Sequence, residues 1–255
     1  MMYDAMKDKI ALVTGAASGI GRSTALAFAD QDCTVVVSDV SDELGAETVQ
    51  MIEERGGRGT YIHCDVSSPD DVDNLFDEIE NRWGHLDYAF NNAGIEGEMG
   101  KPTGECTLEN WKRVIDINLT GVFLCLKREI NMMTARGEGA IVNMSSVAGL
   151  NAFEGIPAYT ASKHGVIGLT KTAAVEYADS GVRINVVCPG VIDTPMIDRA
   201  TGGDEDTERQ YVAMEPIGRM GEPEEIAAGV LWLCSDEASF VQGEPLVIDG
   251  GFLAR

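Results

Sequence analysis

Apolar and polar positions divide the chain into two kinds of stretch. Short runs rich in β-branched residues, at 10–14, 34–39, 60–65, 86–92, 140–145, 183–189 and 245–249, carry little polar alternation. Between them lie stretches with helical period at 20–30, 42–55, 69–83, 107–135, 158–179 and 223–235. Strands without alternation suit a sheet covered on both faces, and connections of helix length are what parallel crossovers require. The pattern predicts an α/β fold, a seven-stranded parallel sheet flanked by helices on both faces in a doubly wound sandwich of the Rossmann type. No repeat, low-complexity tract or long linker interrupts the sequence, so residues 1–255 are expected to form a single domain. The most polar irregular stretch, 201–210, follows the sixth strand. Ligands bind beyond the carboxyl ends of strands in such sheets, and the stretch is therefore expected to belong to a lid spanning about 193–215.

Composition narrows the partners. Nineteen basic against 42 acidic side chains leave a formal charge of −23, which repels nucleic-acid backbones and anionic lipid alike. No apolar run approaches the ~20 residues of a membrane span, and the start reads as a polar lead into a strand, so neither nucleic acid nor membrane is expected as a partner and a cytoplasmic location is. The six cysteines, Cys33, Cys64, Cys106, Cys125, Cys188 and Cys234, include no C-x-x-C pair, and His63, His85 and His164 have no ligand spacing. No metal site and no disulfide framework is expected. Seven lysines against twelve arginines in so acidic a chain suggest adaptation to high salt, where screening acts within ~3 Å at 1 M.

Glycine, at 29 of 255 residues, is the over-used type, and its placement carries chemistry. Thr14-Gly15-Ala16-Ala17-Ser18-Gly19-Ile20-Gly21 leaves the first strand and opens the first helix. There, backbone N–H groups and the positive helix end face a pyrophosphate. Asp39 ends the second strand 24 residues beyond Gly15, close to the ~20-residue spacing of an acid that accepts bonds from a ribose. A carboxylate there repels a 2′-phosphate, Val40 brings no compensating charge, and Arg22 is expected on the helix surface. The expected cofactor is NAD in preference to NADP.

With TGAASGIG (14–21), CDV (64–66), NNAG (91–94), Asn118, NMSS (143–146), YTASK (159–163), PG followed by VIDT (189–194), and VIDGG (247–251) in order and in register, the chain resembles the short-chain dehydrogenase/reductase family over nearly its whole length. The resemblance implies catalytic roles for Asn118, Ser146, Tyr159 and Lys163. Tyr159 and Lys163, four apart on a predicted helix, share one face. An adjacent ammonium, the helix dipole after Pro157 and an oxidised nicotinamide would together lower the phenol from ~10 toward neutrality for general acid/base work. Ser146, thirteen residues before Tyr159, is preferred to Ser145 on that spacing alone. Asn118 lies within a helical stretch where a local backbone distortion, with a relay water, is expected. The resemblance places Gly15, Ser18, Gly19, Ile20, Gly21, Asp39 and Gly94 at the cofactor, with Asp65 and Val66 at the adenine and Asn92 at the adenosine ribose. Tyr159 and Lys163 meet the nicotinamide ribose, Ile192 and Thr194 its carboxamide, and Pro189 and Gly190 the turn beneath.

Segments 95–104, 147–157 and 191–214 are expected to line the substrate pocket, with Leu150, Phe153, Ile156 and Met196 as apolar candidates. They suit a hydrophobic, alicyclic or steroid-like alcohol or ketone, while Glu96, Glu98 and Glu154 leave a sugar open. A 3-oxoacyl-carrier ketoreductase is an alternative, provided Lys127, Arg128 and Arg136 form a basic patch; an idle dinucleotide-binding sensor is another. The family resemblance implies a homotetramer, and small residues at Ala158, Ala161, Gly165, Gly168 and Thr172 mark a helix face suited to close approach.

Overall fold

The computed structural model describes residues 3–255. Seven strands form one parallel sheet in the order β3-β2-β1-β4-β5-β6-β7. They are β1 (Ile10–Thr14), β2 (Thr34–Asp39), β3 (Arg58–His63), β4 (Tyr88–Asn91), β5 (Gly139–Met144), β6 (Val182–Pro189) and β7 (Pro245–Ile248). The order reverses between β1 and β4, which stay paired to Thr14 and Asn91, and beyond their carboxyl ends lies the crevice where doubly wound sheets bind ligands.

Alternate residues of each buried strand feed opposite layers. Ala11, Val13, Val35 and Val37 pack with the helices α1 (Gly19–Ala29) and α9 (Pro223–Cys234). Leu12 and Val36 pack with Leu75 and Phe76 of α3 (Pro69–Trp83) and with Cys125 and Leu126 of α5 (Gly121–Thr134). Apolar side chains on both faces are why these strands show no polar alternation. Each fully buried Leu or Phe contributes roughly 1.5–3 kcal/mol, enough to hold the strand ends in register beneath the site.

Within the helical stretch 107–135, α4 (Leu108–Ile115) passes through a π-turn at Asp116–Thr120 before α5 begins, the backbone distortion expected at Asn118. One expectation needs correction: the polar stretch 201–210 is not irregular, since α7 (Pro195–Thr201) and α8 (Glu205–Met214) take up most of it. No apolar stripe announces α8. It starts because the Asp204 carboxylate accepts the Thr207 N–H at 2.9 Å, a cap that satisfies one of the helix's orphan donors. The remaining helices are α2 (Asp42–Glu54) and α6 (Pro157–Glu176). No helix among the described residues is long and apolar enough to cross a membrane.

Candidate active site

The glycine turn is shaped by close approach. Gly15 has φ +64°, and a methyl there would lie 2.7 Å from the Ala93 Cα. A methyl on Gly21 would stand 2.1 Å from the Gly15 carbonyl oxygen, so only glycine lets α1 press onto the turn. Ser18 precedes α1 with no side-chain cap bond, leaving its hydroxyl and the helix's first N–H groups for a pyrophosphate. Gly19, at φ +51°, opposes Thr194 across the cleft, with 3.2 Å between its ideal Cβ position and the Thr194 Cγ2. Ile20 lies beside it in the first turn of α1. This is a cradle that any side chain would fill, and it fits a dinucleotide.

Asp39 stands at the end of β2 with both carboxylate oxygens oriented, Oδ2 by the Ala17 N–H and Oδ1 by the Ser41 N–H, each at 3.0 Å. Val40 is exposed. Arg22 turns away, donating through Nε to Thr48 Oγ1 and through Nη2 to Glu47 Oε2, both at 3.1 Å. Asp65 Oδ1 accepts the Ser67 N–H at 2.9 Å, and Val66 is buried under the start of α5. Asn92 has a structural task within the turn itself. Its amide donates to the carbonyls of Thr14 and Gly15, both at 3.0 Å, and so braces the glycine turn.

The catalytic candidates converge on the opposite wall. Pro157 opens α6, placing Tyr159 in its first turn, and the Lys163 ammonium lies 5.4 Å from the Tyr159 ring centroid. Lys163 is buried, and Nζ donates to the Met144 carbonyl at 3.0 Å. Ser146 lies close enough to the Tyr159 phenol to oppose the rise in its pKa, and its hydroxyl accepts the Ala148 N–H at 3.1 Å. Ser145 donates to the Lys163 carbonyl at 2.9 Å. Gly94 admits both neighbours: a methyl there would lie 3.2 Å from Asn118 Oδ1 and 3.6 Å from Lys163 Nζ.

Asn118 sits in the π-turn, the distortion its position led us to expect. Its amide clamps Ile95 from both sides, accepting the Ile95 N–H at 2.8 Å and donating to the Ile95 carbonyl at 2.9 Å. It also reaches Ser162 Oγ at 3.2 Å, and that hydroxyl donates to the Tyr159 carbonyl.

Burial pushes the Tyr159 phenol up to about 12, the Ser146 hydrogen bond opposing the rise and the Glu96 carboxylate adding to it. Burial likewise lowers the Lys163 ammonium to about 8. In the polypeptide alone desolvation is the largest effect on the phenol, and the expected lowering counts on the charge of an oxidised nicotinamide as well.

Beyond Pro189, Gly190 donates to the Ile248 carbonyl at 3.0 Å, and Ile192 pairs with Gly221. Thr194 caps the entry to α7 and its hydroxyl donates to the Ile192 carbonyl. Buried Glu215 accepts the Val191 N–H at 2.7 Å, holding this loop from below. At the mouth, Glu96 is bound by Arg199 of α7, while Glu98 pairs with Lys101 at 2.9 Å. Phe252 stacks on Phe153 with ring centroids 5.6 Å apart, bringing the carboxyl-terminal segment onto the substrate side. Glu215, Ser162, Phe252 and the Glu96–Arg199 pair escaped sequence reasoning. Ser162 stands within the YTASK segment but its bond to Asn118 spans 44 residues, and the others touch the site through partners far away in the chain and belong to no motif. Among the described residues no cluster of three or more His, Cys, Asp or Glu is arranged to hold a metal ion.

A dinucleotide cradle facing a Ser-Tyr-Lys wall with an asparagine in a π-turn defines a nicotinamide-dependent oxidoreductase, and comparison with known proteins agrees. A family model described as enoyl-(acyl carrier protein) reductase matches residues 15–253. The chain is 46% identical over 255 residues to cyclohexanol dehydrogenase of Acinetobacter sp. (strain SE19), covering 100% of this chain and 99% of the relative. It is 43% identical over 254 residues to cis-4-hydroxycyclohexanecarboxylate dehydrogenase of Sinomonas cyclohexanicum, covering 99% and 100%. The crystal structure of levodione reductase superposes with a TM-score of 0.94 at 37% identity, covering 97% of this chain and 98% of that one. The chain belongs to the short-chain dehydrogenase/reductase family and is an oxidoreductase of secondary alcohols and their ketones.

Proposed function

We propose that this protein is an NAD-linked dehydrogenase of alicyclic secondary alcohols, acting on the corresponding ketones in reverse. The observation that carries the chemistry is the Tyr159 ring with the buried Lys163 ammonium 5.4 Å from its centroid, beside Ser146 and facing the glycine turn. When bound, the nicotinamide accepts the hydride of the carbinol carbon and its oxidised ring supplies positive charge. Ser146 holds the substrate oxygen, and Tyr159 takes its proton as the carbonyl forms. Lys163 supports the phenolate, and Asn118 fixes the loop that flanks both. NAD is favoured because the Asp39 carboxylate is oriented at the cleft edge with no free guanidinium beside it.

A ring substrate is favoured by the apolar lip of Leu150, Phe153 and Phe252 and by the names of the relatives. A sugar is disfavoured because Glu96 and Glu98 are already engaged by Arg199 and Lys101. Docking of an acidic acyl carrier is disfavoured too. Arg128 is held by Asp73 and Asp77, both at 2.6 Å, and Arg136 by Asp87 and Glu138, so no basic patch forms with Lys127.

We read residues 1–255 as one domain, with 193–215 as its lid. A homotetramer is supported by exposed Leu108, Trp111 and Phe123 on α4 and α5 and by open space at Gly168 on α6, although Gly165 packs on Leu119 within the subunit. A cytoplasmic location fits the six unpaired thiols, five of them buried. Adaptation to high salt fits the −23 charge.

NADH absorbance with NAD or NADP, against cyclohexanol, steroids, acyclic alcohols and glucose in low and high salt, tests these readings. Turnover of ring alcohols with NAD is the expected result. Turnover with NADP alone overturns the argument from Asp39, and turnover confined to glucose overturns the substrate class.

A further inference from the structure

Glu96 and Arg199 take no part in the chemistry above, yet they cross the mouth of the cleft. Glu96 follows Ile95, whose backbone the Asn118 amide holds on both sides, so the carboxylate leaves a fixed point beside the catalytic wall. Arg199 stands on α7, in the lid. Its Nε donates to Glu96 Oε1 at 2.9 Å and its Nη2 to Oε2 at 3.2 Å, a fork-on-fork pair between residues 103 apart. The Glu96 side chain is only 20% exposed, whereas Arg199 is 57% exposed. The charges facing Glu96 are Arg199 and Arg113 of α4, and Asp198 lies beside Arg199 on the lid.

A guanidinium presenting two parallel donors is the group that would capture a substrate carboxylate. Here those donors are taken. The carboxylate that takes them also places a negative charge near the Tyr159 phenol, as its effect on that group records. An anionic ring substrate therefore meets the Glu96 carboxylate and finds the Arg199 fork already occupied, and a neutral ring alcohol meets neither obstacle.

Building on the ring-alcohol assignment, we propose that the Glu96–Arg199 pair is a specificity gate: it admits uncharged alicyclic alcohols and rejects ring carboxylates, with Arg199 a masked carboxylate-binding group. Neutralising Glu96 should unmask it.

The test measures binding to the NADH complex by nicotinamide fluorescence, using cyclohexanecarboxylate and its neutral isostere cyclohexanecarboxamide as probes. Glu96→Gln should tighten carboxylate binding about tenfold or more while moving the amide less than about threefold. Glu96→Gln/Arg199→Ala should lose the gain, and Glu96→Asp should keep the exclusion. The kcat/KM ratio of 4-hydroxycyclohexanecarboxylate to cyclohexanol should rise with the carboxylate affinity. Parallel movement of acid and amide would show that a loosened lid explains the change and would overturn the gate. A gain that survives removal of Arg199 would overturn it as well. Wild-type failure to oxidise cyclohexanol, with the binding series behaving as stated, would instead remove the ring-alcohol assignment and leave the charge selection standing.

Discussion

The Ser145 hydroxyl donates to the carbonyl oxygen of Lys163 at 2.9 Å, while the Ser146 hydroxyl of the adjacent residue accepts the Ala148 N–H on the Tyr159 side. Neighbouring residues leaving a strand point to opposite sides, and this alternation assigns the two hydroxyls different work. Ser146→Ala should lower kcat by about 10²–10³-fold, the usual cost of losing an oriented donor at the reacting oxygen, with little change in Tm. Ser145→Ala should instead lower Tm by about 2–6 °C and leave kcat within about threefold. Paired kinetics and thermal melts check both; the reverse pattern would reassign the catalytic serine.

Asn118 acts through backbone position. Replacing it with Leu removes the two bonds that hold Ile95 and the contact to Ser162. Misplacement by even ~1 Å near the chemistry can cost ~10²-fold, and kcat for Asn118→Leu should fall by at least about tenfold. An unchanged kcat would make the clamp dispensable.

The strands and the catalytic register were legible in the sequence because each depends on local pattern. β1 and β2 fall at the residues their apolar runs mark, and the glycine turn follows β1 directly. Asn118 was readable as a distortion because asparagine sits poorly inside a helix. The α8 helix was not readable, since its polar residues show no buried stripe and only the Asp204 cap and its neighbours sustain it. Nor was the Glu96–Arg199 pair, whose partners meet only after β4 and β6 are placed in one sheet. Nor was the burial that raises the Tyr159 phenol in the polypeptide alone, because desolvation depends on what surrounds a side chain in space, and spacing to Lys163 says nothing of it.

Cofactor choice should rest on Asp39. Asp39→Ser combined with Val40→Arg removes the repelling carboxylate and adds a phosphate-binding guanidinium. The NADP-to-NAD ratio of kcat/KM should rise by about 10²-fold or more, since about 2.7 kcal/mol of differential binding corresponds to that factor. A ratio unmoved by the double change would place the ribose elsewhere.

Stability should fall as the medium becomes alkaline, because of Glu129. This carboxyl is fully buried in α5, accepts the Asn91 amide at 2.8 Å, and has one oxygen without a partner. Burial raises it to about 8 from 4.5, the Asn91 bond opposing the rise. The folded state thus holds a proton that the unfolded state has released, and stability is lost as pH rises between about 4.5 and about 8. Glu129→Gln should remove this slope, gaining on the order of a few kcal/mol relative to wild type across that window. Urea unfolding at several pH values measures it, and identical slopes for the two proteins would contradict the buried neutral carboxyl.

The most direct test of the central claim is Tyr159→Phe, which keeps the ring beside Lys163 and removes the one group assigned to move the substrate proton. NADH binding, read by fluorescence titration, should stay within about threefold of wild type, while NAD reduction by cyclohexanol should fall by about 10³-fold or more. Undiminished turnover with intact NADH binding would contradict the account, because another group would then have to carry the proton.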